Sequence, residues 1–398
     1  MHEMPRSLRV LLDRFDNRQF DMPAGRARVR LRLGAEAAWD LEVRPGRDRV
    51  READEGREAS AELTADERTW DLVARDLPSG MAAFRSGRLA VRRNLHLGVG
   101  FLAAASGEDS PGRLRFDTIH TACGRVSTMQ AGEGEPLLML HGLGATKAEF
   151  LPTLAALAPA GFRIVAIDLP GFGDSDKPFA AAYDPPFFAR WVEAAMDALG
   201  IDRAHVLGHS MGGRVALEVG LRHADRVKSL VLMTPSMAWL AERRWAPWLK
   251  LVRPELGLIQ PAPKAFVETI VKKVVPGSES QFVAPALDEF LRAYLTARGR
   301  AAFYAAARNI VLEDPKNFWP GLEALSPESL FIWGRRDTLV PIGFMRHVER
   351  ALPRAHHVEL ECGHVPQLES PRRAHAAIER FLRGELRSRG DRAGARVA

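Results

Sequence analysis

The pentapeptide Gly208-His-Ser-Met-Gly212 sets a serine at the centre of a turn with a glycine two positions to either side. The apolar His205-Val-Leu207 precedes it and a helix-forming stretch, Met211 to Arg222, follows. So sharp a strand-turn-helix corner strains its central residue, and the glycines let strand and helix approach, lifting Ser210 above the sheet as a candidate nucleophile. A serine hydroxyl attacks only once a base takes its proton. His364, in Glu361-Cys-Gly-His-Val-Pro366, lies just past the last apolar strand, where a loop can return it to Ser210. His223, His347 and His375 fall in helical stretches, and His356 and His357 open a strand. Asp337, closing Phe331-Ile-Trp-Gly-Arg-Arg-Asp337, is the acid expected to orient the base. A tetrahedral intermediate carries charge on the former carbonyl oxygen, so amide donors are needed. The N–H of Met211, next to the nucleophile, and that of Leu143, in His141-Gly-Leu-Gly144, are the expected oxyanion donors.

These residues need a frame that brings loop ends together. From about Arg113, apolar strands alternate with helices, the pattern of a mostly parallel sheet covered on both faces. The strands are 137–140, 163–167, 205–207, 229–233, 329–333 and 356–360, and helices are expected at 187–199, 211–222, 344–352 and 371–386. The interval between Met233 and Ser329 is too long for a crossover and lies where open α/β sheets bind ligands. It reads as a cap over 237–320, with Trp239, Trp245, Trp248, Phe266, Phe282, Phe290, Phe303 and Phe318 suggesting an apolar chamber. Asp168-Leu-Pro-Gly-Phe-Gly-Asp-Ser-Asp176 holds several acids, which turn formation and local backbone bonds explain.

The first 105 residues read as a separate α+β domain. Arg28-Val-Arg-Leu-Arg-Leu33 and Trp39-Asp-Leu-Glu-Val43 alternate like half-buried strands, and Arg57 to Leu63 could add a third. Thr64-Ala-Asp-Glu67 offers an N-cap for a helix through Trp70, Leu72 and Val73. A helix near Met81–Phe84, a strand at 87–91 and the apolar segment 95–105 complete it. Residues 106–112 form a linker, 113–386 the sheet-and-cap domain, and 387–398 a disordered tail.

Composition limits the partners. The 398 residues are 46% hydrophobic and 27% charged, ordinary for a folded protein and too apolar for wholesale disorder. A net charge of +6, with acids interleaved among the Arg, argues against a nucleic-acid surface. Cys123 and Cys362 lie far apart without metal-ligand spacing, as free thiols in a reducing compartment would. No apolar run approaches the ~18 residues of a membrane span, and the start lacks a signal-peptide pattern. A cytoplasmic protein without integral membrane segment is expected. With no G-x-x-x-x-G-K-[ST] and no H-E-x-x-H, neither cofactor nor metal is expected.

The motifs HGLG, DLPGFGDSD, GHSMGG, WGRRD and GHVPQLESP resemble those of the α/β-hydrolase superfamily over Gly142 to Arg383. The resemblance implies Ser210, Asp337 and His364 as triad, Leu143 and Met211 as oxyanion amides, and a lid after the sixth strand. Ser210 stands where haloalkane dehalogenases and soluble epoxide hydrolases place an aspartate, which disfavours those reactions; carbon–carbon bond hydrolases of ring-cleavage products and cofactor-free perhydrolases keep the serine. From about Phe20 to Ala105 the chain is similar to sterol-carrier-protein type-two domains, through Trp39–Val43, Thr69-Trp-Asp-Leu72 and Met81-Ala-Ala-Phe-Arg-Ser-Gly-Arg-Leu-Ala-Val91, which implies an apolar lipid tunnel. Arg93-Asn94 stands where that family often has Gly-Asp. The expected activity is cleavage of a small hydrophobic or lipid-like carboxylic ester through an acyl-enzyme. The alternatives are carbon–carbon hydrolysis of a ring-cleavage product and a non-catalytic lipid-binding protein.

Overall fold

The computed structural model describes residues 3–107, 112–237, 253, 255, 283–311 and 313–386. The expected tail, much of the linker, most of the cap and Trp239, Trp245, Trp248, Phe266 and Phe282 lie outside the described residues.

Five strands form the first sheet: β1 (Ala27–Leu33), β2 (Ala37–Arg44), β3 (Arg47–Glu52), β4 (Ala61–Ala65) and β5 (Ala90–Arg92), in the order β3-β2-β1-β4-β5. Only β1 and β4 run parallel among these pairs. The alternation in β1 sorts its two faces. Val29 and Leu31 enter the core, while Arg30 points to the other face and holds Asp40 with two bonds of 2.7 and 2.9 Å. Helices α1 (Arg6–Arg14), α2 (Glu67–Arg75), α3 (Leu77–Arg85) and α4 (Leu95–Ala104) accompany the sheet.

Three local expectations change here. The third strand is Arg47–Glu52, exposed along its whole length; its charges give no apolar alternation, and a charged edge discourages pairing with other chains. The strand expected at 57–63 is instead Ala61–Ala65, and Thr64 lies inside it. The α2 cap is Asp66, whose carboxylate accepts from Thr69 N–H at 2.7 Å; it is the first polar side chain after the strand that can reach that amide.

The second sheet has eight strands: β6 (Arg115–Thr121), β7 (Gly124–Ala131), β8 (Glu135–Leu140), β9 (Phe162–Ile167), β10 (Ala204–His209), β11 (Val227–Met233), β12 (Glu328–Gly334) and β13 (His356–Leu360). The order is β13-β12-β11-β10-β8-β9-β7-β6, parallel from β9 to β13, with β6 and β7 an antiparallel hairpin at one edge. That hairpin escapes the apolar-run criterion because polar residues interrupt it and its buried half includes Ser127, Thr128 and Gln130. Beyond its pairing with β9, it bonds the 168–176 loop, with Ser127 N–H on Ser175 Oγ and Arg125 N–H on Asp176.

The helices of this part of the chain are α5 (Leu151–Leu157), α6 (Pro185–Ala198), α7 (Met211–Arg222), α8 (Val283–Tyr294) and α9 (Ala297–Val311) of the cap interval, α10 (Pro315–Leu322), α11 (Met345–Ala351), α12 (Pro366–Glu369) and α13 (Pro371–Leu382). In β8, Leu137 and Met139 face the core under α5 and α13, while Leu138 and Leu140 face the core under α6 and α7. Burial on both faces makes these strands continuous apolar runs. Among the described residues no helix is long and apolar enough to cross a membrane.

The two sheets share a core. All ten residues of α4 are buried, and Phe101 belongs to the same cluster as Phe116, Met129 and Phe150 of the larger sheet's side. Trp70, Leu31, Leu63 and Val91 are buried in the smaller sheet's core, and a cavity bordered by Leu11, Val73, Gly80 and Leu102 holds about 10 Å³, room for roughly one water.

His375 of α13 packs against α5, with its Nε2 3.0 Å from Thr153 Oγ1. Burial pushes its pKa down from 6.5 to about 4. Between these values the unfolded chain binds a proton that the folded one does not, so stability falls as pH drops through that window, by at most about 3 kcal/mol. His375→Gln should flatten the decline of the urea midpoint between pH 7 and 4.5; an unchanged decline would assign it to other groups.

Candidate active site

Strand β10 ends at His209, α7 begins at Met211, and Ser210 between them has φ 51° and ψ −114°. This is a strained conformation for a residue with a Cβ. The neighbouring glycines permit it by steric necessity. A Cβ on Gly212 would stand 2.0 Å from the Leu140 carbonyl oxygen, and one on Gly208 2.2 Å from that of Gly212. Two backbone bonds lock the corner: Ser210 N–H donates to Met233 O at 2.9 Å, and Ser236 N–H to Ser210 O at 3.0 Å.

Three loops at the carboxyl ends of the strands bring the sequence-predicted side chains together. Ser210 Oγ lies 2.9 Å from His364 Nε2, and His364 Nδ1 lies 2.7 Å from Asp337 Oδ2. All three residues are buried. The second oxygen of Asp337 accepts from the N–H groups of Leu339 and Val340 at 2.7 and 2.9 Å, which aims the carboxylate at the imidazole. Glu369 steadies the histidine loop, one oxygen accepting from Gly363 N–H and the other from Val365 N–H, at 2.6 and 2.9 Å.

The Leu143 loop is positioned as tightly. His141 Nε2 accepts from Leu169 N–H at 2.9 Å, so its proton resides on Nδ1 and is donated to Gly142 O at 2.8 Å. Complete burial lowers the His141 pKa, in keeping with that neutral ring. Gly142 N–H donates to Glu149 at 3.1 Å. Among the described residues nothing accepts from the N–H of Leu143 or of Met211.

An arrangement of hydroxyl, imidazole and carboxylate on the loops of such a sheet permits comparison with known proteins. A family model for the alpha/beta hydrolase fold matches residues 135–266. A 2-hydroxymuconate semialdehyde hydrolase of Pseudomonas putida is 32% identical over 272 residues, covering 65% of this chain and 90% of that protein. The chain belongs to the alpha/beta hydrolase fold family. A pimeloyl-[acyl-carrier protein] methyl ester esterase of Aeromonas hydrophila is 30% identical over 265 residues, covering 65% of this chain and 99% of that esterase. Among solved structures, a hydrolase from Pseudomonas aeruginosa PA01 superposes with a TM-score of 0.57 at 26% identity, covering 69% of this chain and 99% of that one.

Several residues of this hydrolase that hold the site carry no signal in the sequence. His209 donates from Nε2 to the His364 carbonyl at 2.8 Å, while its Nδ1 faces both Glu149 oxygens at 3.3 Å. Burial opposes its charge, but Glu149 outweighs burial and raises the pKa. Thr234, at φ 41°, donates its hydroxyl to the same carbonyl at 2.9 Å. Ser236 Oγ lies 3.3 Å from Ser210 Oγ. Elsewhere, His223 pairs with Glu193, His347 stacks on Trp319, His356 pairs with Glu328 and His357 contacts Trp333. Cys362 is buried, and its thiol is pushed up to about 12, first by burial and then by nearby carboxylates, so it stays protonated at neutral pH. Among the described residues no three His, Cys, Asp or Glu side chains form a metal-ligand set.

Burial pushes the His364 pKa below 6.5; the bond to Asp337 pulls upward and the His209 charge downward, leaving it net lowered. The neutral ring is the form that can accept a proton, so log(kcat/KM) should stay level from pH 8 to below 6.5 before bending down. An acid-limb inflection at pH 7 or above would contradict this.

Proposed function

We propose that the chain is a serine hydrolase that cleaves carboxylic esters of hydrophobic substrates through an acyl-enzyme on Ser210. The observation that carries this reading is the unbroken hydrogen-bonded chain from Asp337 through His364 to Ser210 Oγ. Ser210 Oγ attacks the ester carbonyl as His364 Nε2 takes its proton, and Asp337 stabilises the imidazolium. The N–H groups of Leu143 and Met211 bind the resulting oxyanion. His364 then protonates the departing alcohol, and a water deprotonated by the same ring releases the acid.

A second reading is favoured by the relatives' names, among them hydrolases of 2-hydroxymuconate semialdehyde and of 2-hydroxy-6-oxo-6-phenylhexa-2,4-dienoate. The same groups would then cleave a carbon–carbon bond in a ring-cleavage product. For the ester reading, the apolar Phe290 and Phe303, which abut Gly144 beside Leu143, support a hydrophobic acyl or alcohol group. Likeness of the first 105 residues to sterol-carrier domains supports a lipid-like one.

A fluorophosphonate probe followed by peptide mapping tests the nucleophile, with modification of Ser210 expected. Initial rates on p-nitrophenyl esters from acetyl to palmitoyl, set beside loss of the dienol absorbance of a ring-cleavage product, separate the two readings. Absence of labelling would return the chain to the non-catalytic, lipid-binding alternative.

A further inference from the structure

Ion pairs and hydrogen bonds between the smaller sheet's unit and the cap converge on two adjacent acids of α8, of which Glu289 is buried. Asp288 accepts from Arg92 Nε at 2.6 Å, from Arg92 Nη2 at 3.1 Å and from Arg93 N–H at 2.9 Å. Arg93 has φ 71°, and this left-handed backbone lies in the turn that joins β5 to α4. Glu289, 4% exposed, reaches in two directions. Its Oε1 accepts the Leu95 N–H at 2.7 Å, one of the orphan donors at the start of α4. Its Oε2 accepts the Thr146 hydroxyl at 3.1 Å and Arg292 Nη2 at 3.0 Å.

Thr146 ends the 141–146 loop that carries Leu143, and its Oγ1 also accepts from Ala148 N–H at 3.3 Å. The next α8 residue presses on the same loop: a Cβ on Gly144 would stand 2.5 Å from the Phe290 ring. One buried carboxylate thus joins the N-terminal unit, the cap and the loop of the expected oxyanion donor. Arg292 extends the network to Asp174, and Lys147 ties the loop's far end to Asp168 at 2.7 Å.

We propose that Glu289 is a positioning residue for hydrolysis, holding the Leu143 loop at its working distance by bracing it against the N-terminus of α4, so that the N-terminal unit is part of the catalytic geometry. The proposal rests on the oxyanion role of Leu143. A glutamine at 289 keeps the volume but replaces one acceptor oxygen by an NH₂ group, leaving either Leu95 N–H or Arg292 Nη2 facing a donor and reversing or removing the bond from the Thr146 hydroxyl. The loop then relaxes, and a displacement of about 1 Å in such a donor costs up to about a hundredfold in rate.

The test uses the full chain, with active sites counted by fluorophosphonate titration and kcat on p-nitrophenyl butyrate expressed per titrated site. Glu289→Gln is expected to lower kcat about tenfold or more with KM within about threefold. Thr146→Val should lose a similar factor, and Thr146→Ser, which keeps the donor, should restore most of it. The double variant Glu289→Gln/Thr146→Val should fall no further than the worse single one. Arg92→Ala, touching only the N-terminal side of the brace, should lower kcat in the same sense. A merely structural role would reduce the number of titrated sites and leave kcat per site unchanged. Values within twofold of the parent for Glu289→Gln, or multiplied losses in the double variant, would overturn the proposal; if Glu289→Gln fails to fold, an unchanged kcat in Thr146→Val or Arg92→Ala overturns it equally. Failure of the underlying serine-hydrolase reading looks different, since the unaltered chain would then neither be labelled nor turn over.

Discussion

Ser210→Ala is expected to lower kcat on an activated ester by about 10⁴-fold or more and to leave thermal unfolding nearly unchanged. Removing Oγ takes away the only atom within hydrogen-bonding distance of His364 Nε2 among the described residues, so the ring has no hydroxyl to deprotonate. The residual rate would come from the oxyanion donors and substrate binding. Folding is little affected because the corner is held by main-chain bonds, Ser210 N–H to Met233 O and Ser236 N–H to Ser210 O, which alanine keeps. Alanine also bears the same positive φ, so the strain is equal in both forms. Initial rates on p-nitrophenyl butyrate, with circular dichroism melts of both proteins, make the comparison. A variant retaining a tenth of the rate would place the nucleophile elsewhere.

Lys147→Met is expected to cost about 3–5 kcal/mol of stability. The Lys147 and Asp168 side chains are 1% and 0% exposed and meet at 2.7 Å. Burial alone would raise the Asp168 pKa, yet the Lys147 ammonium prevails and holds it below the ordinary carboxylate value. Methionine fills the space of the lysine stem and removes the charge, which strands the carboxylate in a site closed to water. Asp168→Asn in the same background removes that stranded charge while keeping an acceptor for Lys147 N–H or Asp174 N–H, so the double variant should recover part of the loss. Urea unfolding of the two single variants and the double one gives the coupling. A loss below about 1 kcal/mol for Lys147→Met would mean that the pair is solvated.

Two kinds of information differ in how readily they are read along the chain. Strands β8 and β12 are legible because a strand covered on both faces is an unbroken apolar run, as in Leu137–Leu140 and Leu330–Trp333. Ser210 is legible because the Gly208 and Gly212 contacts are local consequences of one tight turn. Asp337 and His364 are legible because loops that follow parallel strands leave the sheet at the same edge. The β6–β7 hairpin and β3 are not, since their stability comes from partners across the sheet rather than from an apolar period. The cap of α2 is misread by two residues for a similar reason: pairing of Thr64 with both Arg32 and Ala90 commits it to β4.

Residue types and short spacings thus suffice for the hydrolase frame and for the order serine, acid, histidine, because each depends on contacts between near neighbours or on strand order. The supports of the site belong to another category. Glu149 beneath His209, Glu369 around His364, Thr234 on the histidine carbonyl and Glu289 between α4 and Thr146 meet their partners across separations from 4 to 194 positions. A lone carboxylate or hydroxyl has no periodicity or motif to announce it. Its role arises when folding excludes water, and each desolvated donor must find whichever acceptor the packing has brought beside it.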